Sequence, residues 1–215
     1  MDMIIHKPLN EIFSAYSNIA VIRELRYTKN GFSGREIAKR AGLSAPAAIN
    51  SLSHLESLKI VNRQIGGRDH IFTLNTTNYF VKVVLLPSLD AEGKFYDAIV
   101  KDIKKTLSKS TISVFLFGSV ARKEESIQSD FDICIVFPGF KDKKIVEEKV
   151  NICRDELHND YGISLAPFYI SVNEFQQRAR LKKPPINEIL KEGILLFGQS
   201  IKELLNDKPK SKKEN

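Results

Sequence analysis

The chain has 215 residues, 42 % hydrophobic and 27 % charged, the balance of a soluble globular protein with room for one large domain or two small ones. Its longest apolar run, Val81 to Leu86, is interrupted by Lys82 and closed by Pro87, so no membrane span is expected, and the opening MDMIIHKPLN lacks the basic and apolar regions of a secretory signal. Two cysteines without CxxC spacing, Cys134 and Cys153, argue against a disulfide framework or zinc site and suit buried thiols in a reducing cytoplasm.

The net charge of +7 is uneven: residues 1–80 carry 10 Lys and Arg against 6 Asp and Glu, whereas residues 111–205 carry 13 against 14. Binding of a polyanion is therefore expected of the front half. From Asn10 to Tyr27, apolar Ile12, Phe13, Tyr16, Ile19, Ala20 and Ile22 recur at helical spacing. Ser33-Gly34-Arg35-Glu36 then forms a capping box that opens a short helix ending near Gly42. Ser44 caps a third helix, with Pro46 in its first turn where a missing amide costs nothing. IVNRQI, a Gly66-Gly67 turn region and HIFTLN follow as strand, turn and strand.

Three helices and a two-stranded ribbon give the layout of a winged helix-turn-helix. The segment SGREIAKRAGLSAPAAINSLSHLESLKIVNRQIGGRDHIFTLN resembles the winged-helix transcription regulators across its length. On the third helix Ala48, Ile49, Leu52 and Leu55 are expected on the buried side, leaving Ala47, Asn50, Ser53 and His54 facing a major groove. Arg63, Arg68 and His70 on the ribbon are placed to meet phosphate or minor groove. The outer helix face has no Lys or Arg, so affinity would come from the ribbon and the flanking Arg35, Lys39 and Arg40. Winged-helix regulators pair on two half-sites, so a homodimer bound to DNA is the expected assembly; a surface for protein contact is the other use of this layout.

Residues 81–110 read as a helical connector, broken at Pro87-Ser88, with a stripe of Phe95, Ile99, Ile103 and Leu107 that must be buried. The polar tail over 206–215 reads as disordered.

The chemistry lies in FLFGSVARKEESIQSDFDICIVF, Phe115 to Phe137. A strand runs into Gly118-Ser119 at a helix start, which presents amides and a hydroxyl to an anion such as a triphosphate. Ten residues later DFDICIVF forms a second strand, on which Asp130 and Asp132 share one face while Phe131, Ile133 and Ile135 take the other. Two carboxylates so placed repel each other unless a cation lies between them, and hard oxygen donors favour Mg²⁺. A solvated strand end without an ion is the plainer alternative.

Strand, Gly-Ser, ten residues and Asp-x-Asp on the next strand resemble the nucleotidyltransferases of the DNA polymerase β superfamily, and among them the small "minimal" bacterial and archaeal members. The resemblance covers about residues 111–200, including the closing PPINEILKEGILLFG. It implies an α+β fold with a mixed sheet flanked by helices, and transfer of a nucleoside monophosphate from an NTP, expected to be ATP, with Mg²⁺ or Mn²⁺. By the same resemblance Gly118 and Ser119 hold the triphosphate, and Asp130 and Asp132 bind metal. The acceptor implied is a nucleic acid, a small molecule or, as in antitoxin-like members, a partner toxin protein. One departure stands out. The third carboxylate of such enzymes falls at Ala166 when YGISLAPFYIS is anchored on Pro167; Ser164 and Asp160 are the polar residues near it, and Glu174 belongs to a capping box begun by Ser171. The alternative function is therefore a DNA-binding regulator whose weakened transferase domain senses a nucleotide or dimerises. A protein-interaction scaffold without either ligand is the third reading.

Overall fold

The computed structural model describes residues 5–66 and 69–206, which fall into two compact units divided between Lys94 and Phe95. Among the described residues no helix is long and apolar enough to cross a membrane, and both cysteines are free and buried.

The first unit opens with α1 (Pro8–Ile12) and α2 (Tyr16–Leu25). One continuous periodicity spans both, yet the chain breaks between them because Asn18, only 2 % exposed, donates its side-chain amide to the Ile12 carbonyl at 3.2 Å. A buried amide needs a partner, and the freed end of α1 supplies it. Next come β1 (Phe32–Ser33), α3 (Gly34–Arg40) and α4 (Ala45–Ser57). The α3 capping box forms in full, Ser33 accepting from the Glu36 amide and the Glu36 carboxylate accepting from the Ser33 amide. Ser44 caps α4 through the Ala47 amide.

β2 (Val61–Gly66) and β3 (Asp69–Leu74) pair antiparallel, with Val61 opposite Leu74 and Gly66 opposite Asp69, and β1 adds to the far side of β3. Gly67, part of the expected turn, and Arg68, expected to meet phosphate or minor groove, lie outside the described residues. Ile22, Leu25, Ile37, Leu52, Leu55 and Phe72 form the core between helices and sheet. Ile49 departs from its expected place: it is 55 % exposed, and Ser51 is buried instead, its hydroxyl donating to Ser17 Oγ at 2.7 Å. The helix is rotated against its expected stripe because that hydroxyl pair satisfies a polar residue inside the core.

Pro87 does not break the connector. A π-helical turn, Val81–Leu85, runs without interruption into α5 (Leu86–Leu107). The wider turn hands the Leu86 amide to the Val81 carbonyl, and Pro87 sits in the first turn of α5, where its ring and missing donor are tolerated. Val81, Leu85 and Leu89 join the first core.

The second unit is built on a four-stranded sheet ordered β6-β5-β4-β7, from β4 (Ser113–Leu116), β5 (Phe131–Phe137), β6 (Leu165–Ser171) and β7 (Ile194–Gly198). β4 runs antiparallel to β5 and β7, and β5 runs parallel to β6, so the sheet is mixed. Between the strands lie α6 (Gly118–Arg122), α7 (Lys143–Tyr161), α8 (Val172–Arg180) and α9 (Ile186–Glu192), with α10 (Ile201–Asn206) after the last. Strand alternation divides β5 between two cores. Phe131, Ile133, Ile135 and Phe137 pack with Ile99 and Ile103 of α5 and Val150 and Leu157 of α7. Cys134 and Val136 pack with Phe175 of α8, Ile186 and Ile189 of α9 and Leu204 of α10. Pro167 is accommodated because β6 is an edge strand. The expected tail beyond Asn206 lies outside the described residues.

Candidate functional site

The centre of the site is the crossing of two strand ends. β4 finishes at Leu116, and the Phe117 amide donates to the Asp132 carbonyl at 3.0 Å, pinning the turn to β5. Gly118 follows with φ +74°, a left-handed conformation costly for any residue with a Cβ. A Cβ there would also strike the Asp132 carboxylate. The turn therefore needs glycine twice, for its backbone and for the side chain it admits. Ser119, half-buried, is the second residue of α6, which ends after one turn at Lys123 in a left-handed conformation.

Asp132 is half-buried and Asp130, just ahead of β5, is exposed. Burial holds the Asp132 carboxyl above the ordinary aspartate range, and the Asp130 charge pushes it the same way, with Arg122 opposing. Arg122 itself is engaged by Glu124 at 2.9 Å and Glu192 at 2.6 Å, so it is committed to carboxylates rather than open to a phosphate. A site that raises the proton affinity of one carboxylate beside another is short of positive charge.

The parallel register sets Ala166 directly against Asp132, on the position where a third carboxylate would adjoin the pair. Ser164 is exposed one residue ahead of β6, and Asp160 lies in the last turn of α7. Glu174 makes only half of its expected capping box. Its amide donates to Ser171 Oγ at 3.3 Å, but its carboxylate accepts from Arg178 at 2.7 Å, one helical turn along α8. Among the described residues no group of three or more His, Cys, Asp or Glu is placed to hold a metal ion. Asp130 and Asp132 alone supply two hard oxygen donors, a set that suits one divalent cation completed by phosphate oxygens and water.

Beside Asp130 lies a cavity of about 440 Å³. Phe95, Tyr96 and Ile99 of α5 form one wall, and Val120, the 125–131 loop and the segment 162–164 complete it. Phe95, expected in the buried stripe, is 47 % exposed, its ring edge-on to Tyr161 with centroids 5.7 Å apart. Neither Phe95 nor Tyr96 is expected at a site from periodicity alone; the signal available in the sequence is an aromatic pair at the N-terminal end of that stripe.

The candidate DNA-facing residues are spread more widely. On α4, Asn50 and Ser53 are exposed beside Ile49, and Ala47 is half-buried. His54 is half-buried too, with Nε2 3.0 Å from the Glu11 carbonyl, which turns its ring into the fold. On the hairpin, Arg63 pairs with Glu56 at 3.1 Å and His70 is exposed. Arg40 stacks over the Phe32 ring, 4.2 Å from its centroid.

Residues 98–196 match the family model of the nucleotidyltransferase domain, a span that takes in much of α5, all the strands around the Asp pair and Ala166. No curated protein matches the sequence.

Proposed function

With a nucleotidyltransferase domain over residues 98–196 as the premise, we propose that this protein transfers a nucleoside monophosphate from an NTP to an acceptor hydroxyl. Gly118 and Ser119 receive the triphosphate at the mouth of the β4–α6 turn, and Asp130 and Asp132 hold Mg²⁺ or Mn²⁺. The observation that carries this reading is the packing of the Asp132 carboxylate onto Gly118. It brings the cation-seeking pair and the phosphate-facing turn into one place. A cation held there would supply charge neutralisation at the α-phosphate. The residues of the chain orient the NTP, and the acceptor oxygen bonds to the α-phosphorus as the bond to pyrophosphate breaks, the hydroxyl proton passing to water.

The first unit is proposed to be a winged helix-turn-helix that binds DNA as a homodimer. Support comes from its order of capped helices and hairpin, from exposed Asn50 and Ser53 on α4, and from the excess of basic residues over 1–80. ATP is the NTP proposed, and a partner protein is among the candidate acceptors.

Ala166 against Asp132 favours a second reading, a DNA-binding regulator that binds NTP and turns it over slowly or not at all. Linkage then requires NTP and DNA to change each other's affinity by the same factor. The deciding experiment is transfer of label from α-labelled NTPs, with Mg²⁺ or Mn²⁺, into a lysate of the source cells. The Asp130→Asn/Asp132→Asn protein is the control. Label appearing with wild type alone supports the transferase. Metal-dependent NTP binding without label supports the regulator. Neither label nor binding would rule out both readings of the Asp pair.

A further inference from the structure

Gly118, Ser119 and Asp132 do not line the cavity beside Asp130, which shares only Asp130 with the sites proposed for the triphosphate and the cation. We propose that it holds the nucleoside half of the NTP, so that its lining sets base and sugar preference. The proposal rests on the triphosphate site assigned to Gly118 and Ser119.

Position comes first. Val120, the residue after Ser119, and Asp130, half of the carboxylate pair, both lie on the cavity wall. The cavity therefore begins where the phosphate-facing turn ends. Charge comes second. Among the described residues no Lys or Arg lines it, and Glu125 and Asp130 do, so it disfavours phosphate and suits an uncharged group attached to one. Third are the walls. Phe95 and Tyr96 are 47 % and 40 % exposed, and Phe95 is steadied by its edge contact with Tyr161. Exposed aromatic faces are the usual stacking platform for a nucleobase, tolerant of which base it is. Discrimination would come from polar groups at the rim, where Gln128 and Ser164 are exposed. Ser126 and Ser129 are occupied with each other, the Ser126 amide donating to Ser129 Oγ at 2.9 Å, and so shape the loop.

Size and the loop agree with this assignment. A volume of about 440 Å³ is within the usual range for a small-molecule site, roughly 300–1,000 Å³. Ile127, on the same loop, is fully in solvent at 105 % exposure, an apolar side chain at the cavity mouth for which a bound ring would be a contact.

The test is calorimetric titration of the full-length protein, in Mg²⁺, with each of the four NTPs and with tripolyphosphate, repeated for Tyr96→Ala and for Gln128→Ala. Both side chains are exposed, so the variants should fold, and tripolyphosphate binding reports that the phosphate site is intact. The expected result is an NTP affinity weakened roughly tenfold or more by Tyr96→Ala. Gln128→Ala should narrow the spread among the four NTPs, and tripolyphosphate affinity should hold in both. Variants that bind all four NTPs as wild type does would overturn the proposal. If they also lose label transfer, the cavity belongs to the acceptor. Wild-type protein that binds neither NTP nor tripolyphosphate would instead refute the phosphate site on which the proposal stands.

Discussion

Gly118→Ala tests the site at its tightest point, and Gly162→Ala separates the two costs involved. Both glycines have left-handed backbones, φ +74° and φ +68°, but a Cβ on Gly162 meets nothing within 4 Å. Gly162→Ala should therefore cost only the conformational penalty, about 1–2 kcal/mol. Gly118→Ala incurs that penalty and a collision. The atoms in its way are Oδ2, Cγ and Cβ of Asp132. A new χ1 rotamer relieves the closest approach by moving the carboxylate but leaves the Cβ at 3.3 Å, so β5 or the turn must still give by a few tenths of an ångström, which the Phe117–Asp132 hydrogen bond at 3.0 Å resists. Overpacking of this kind costs about 1–3 kcal/mol, for a total of about 2–5 kcal/mol. Urea denaturation followed by far-UV circular dichroism measures both variants, and NTP titration in Mg²⁺ measures the site. Gly118→Ala should be the less stable of the two and should lose metal-dependent NTP binding. Equal stability for the two variants, with wild-type NTP affinity in Gly118→Ala, would refute a fit between this turn and the carboxylate.

Because burial and Asp130 raise the Asp132 carboxyl above its usual range, the folded state holds that proton more tightly than the unfolded chain does. Stability from this group is gained as pH falls through the raised value and is absent at neutral pH. Asp132→Asn should thus melt above wild type at pH 7 without metal, the gap closing on acidification, while NTP binding is lost; a variant that melts below wild type at pH 7 would contradict this. Ala166→Asp places a carboxylate in register with Asp132 and should raise label transfer by roughly 10²-fold, the low end for a general base, at some cost in metal-free melting temperature; an unchanged rate would count against Ala166 as the missing position. Ser33→Ala removes the acceptor for the Glu36 amide and should destabilise the first unit by about 0.5–2 kcal/mol, read by hydrogen exchange over α3. If the first unit binds DNA, log affinity should fall linearly with log salt, and Arg35→Ala or Lys39→Ala should each reduce the slope by about one where the side chain neutralises a phosphate; a flat salt dependence would remove the DNA reading.

Short-range rules were legible in the sequence because both partners in them are close along the chain. Ser33 with Glu36, Ser44 with Ala47, and the alternation that separates Asp132 from Phe131 and Ile133 all follow from local geometry. The Gly118-Ser119 turn and the Asp pair were legible as a motif for the same reason. Other features were settled only by contacts between segments that periodicity does not relate. Asn18 splits α1 from α2 by finding the Ile12 carbonyl, and Ser51 displaces Ile49 from the core by pairing with Ser17. Two exceptions are local: Glu174 gives up half of its box to Arg178 one turn along the same helix, an ion pair that competes with the amide. Pro87 stays helical because a π turn precedes it. The joining of Gly118 to the Asp132 carboxylate, Ala166 set beside that carboxylate, and a cavity walled by Phe95, Tyr96 and residues up to Ser164 all depend on strand register and helix docking. Periodicity in one segment says which face will be buried. What that face meets depends on the rest of the chain.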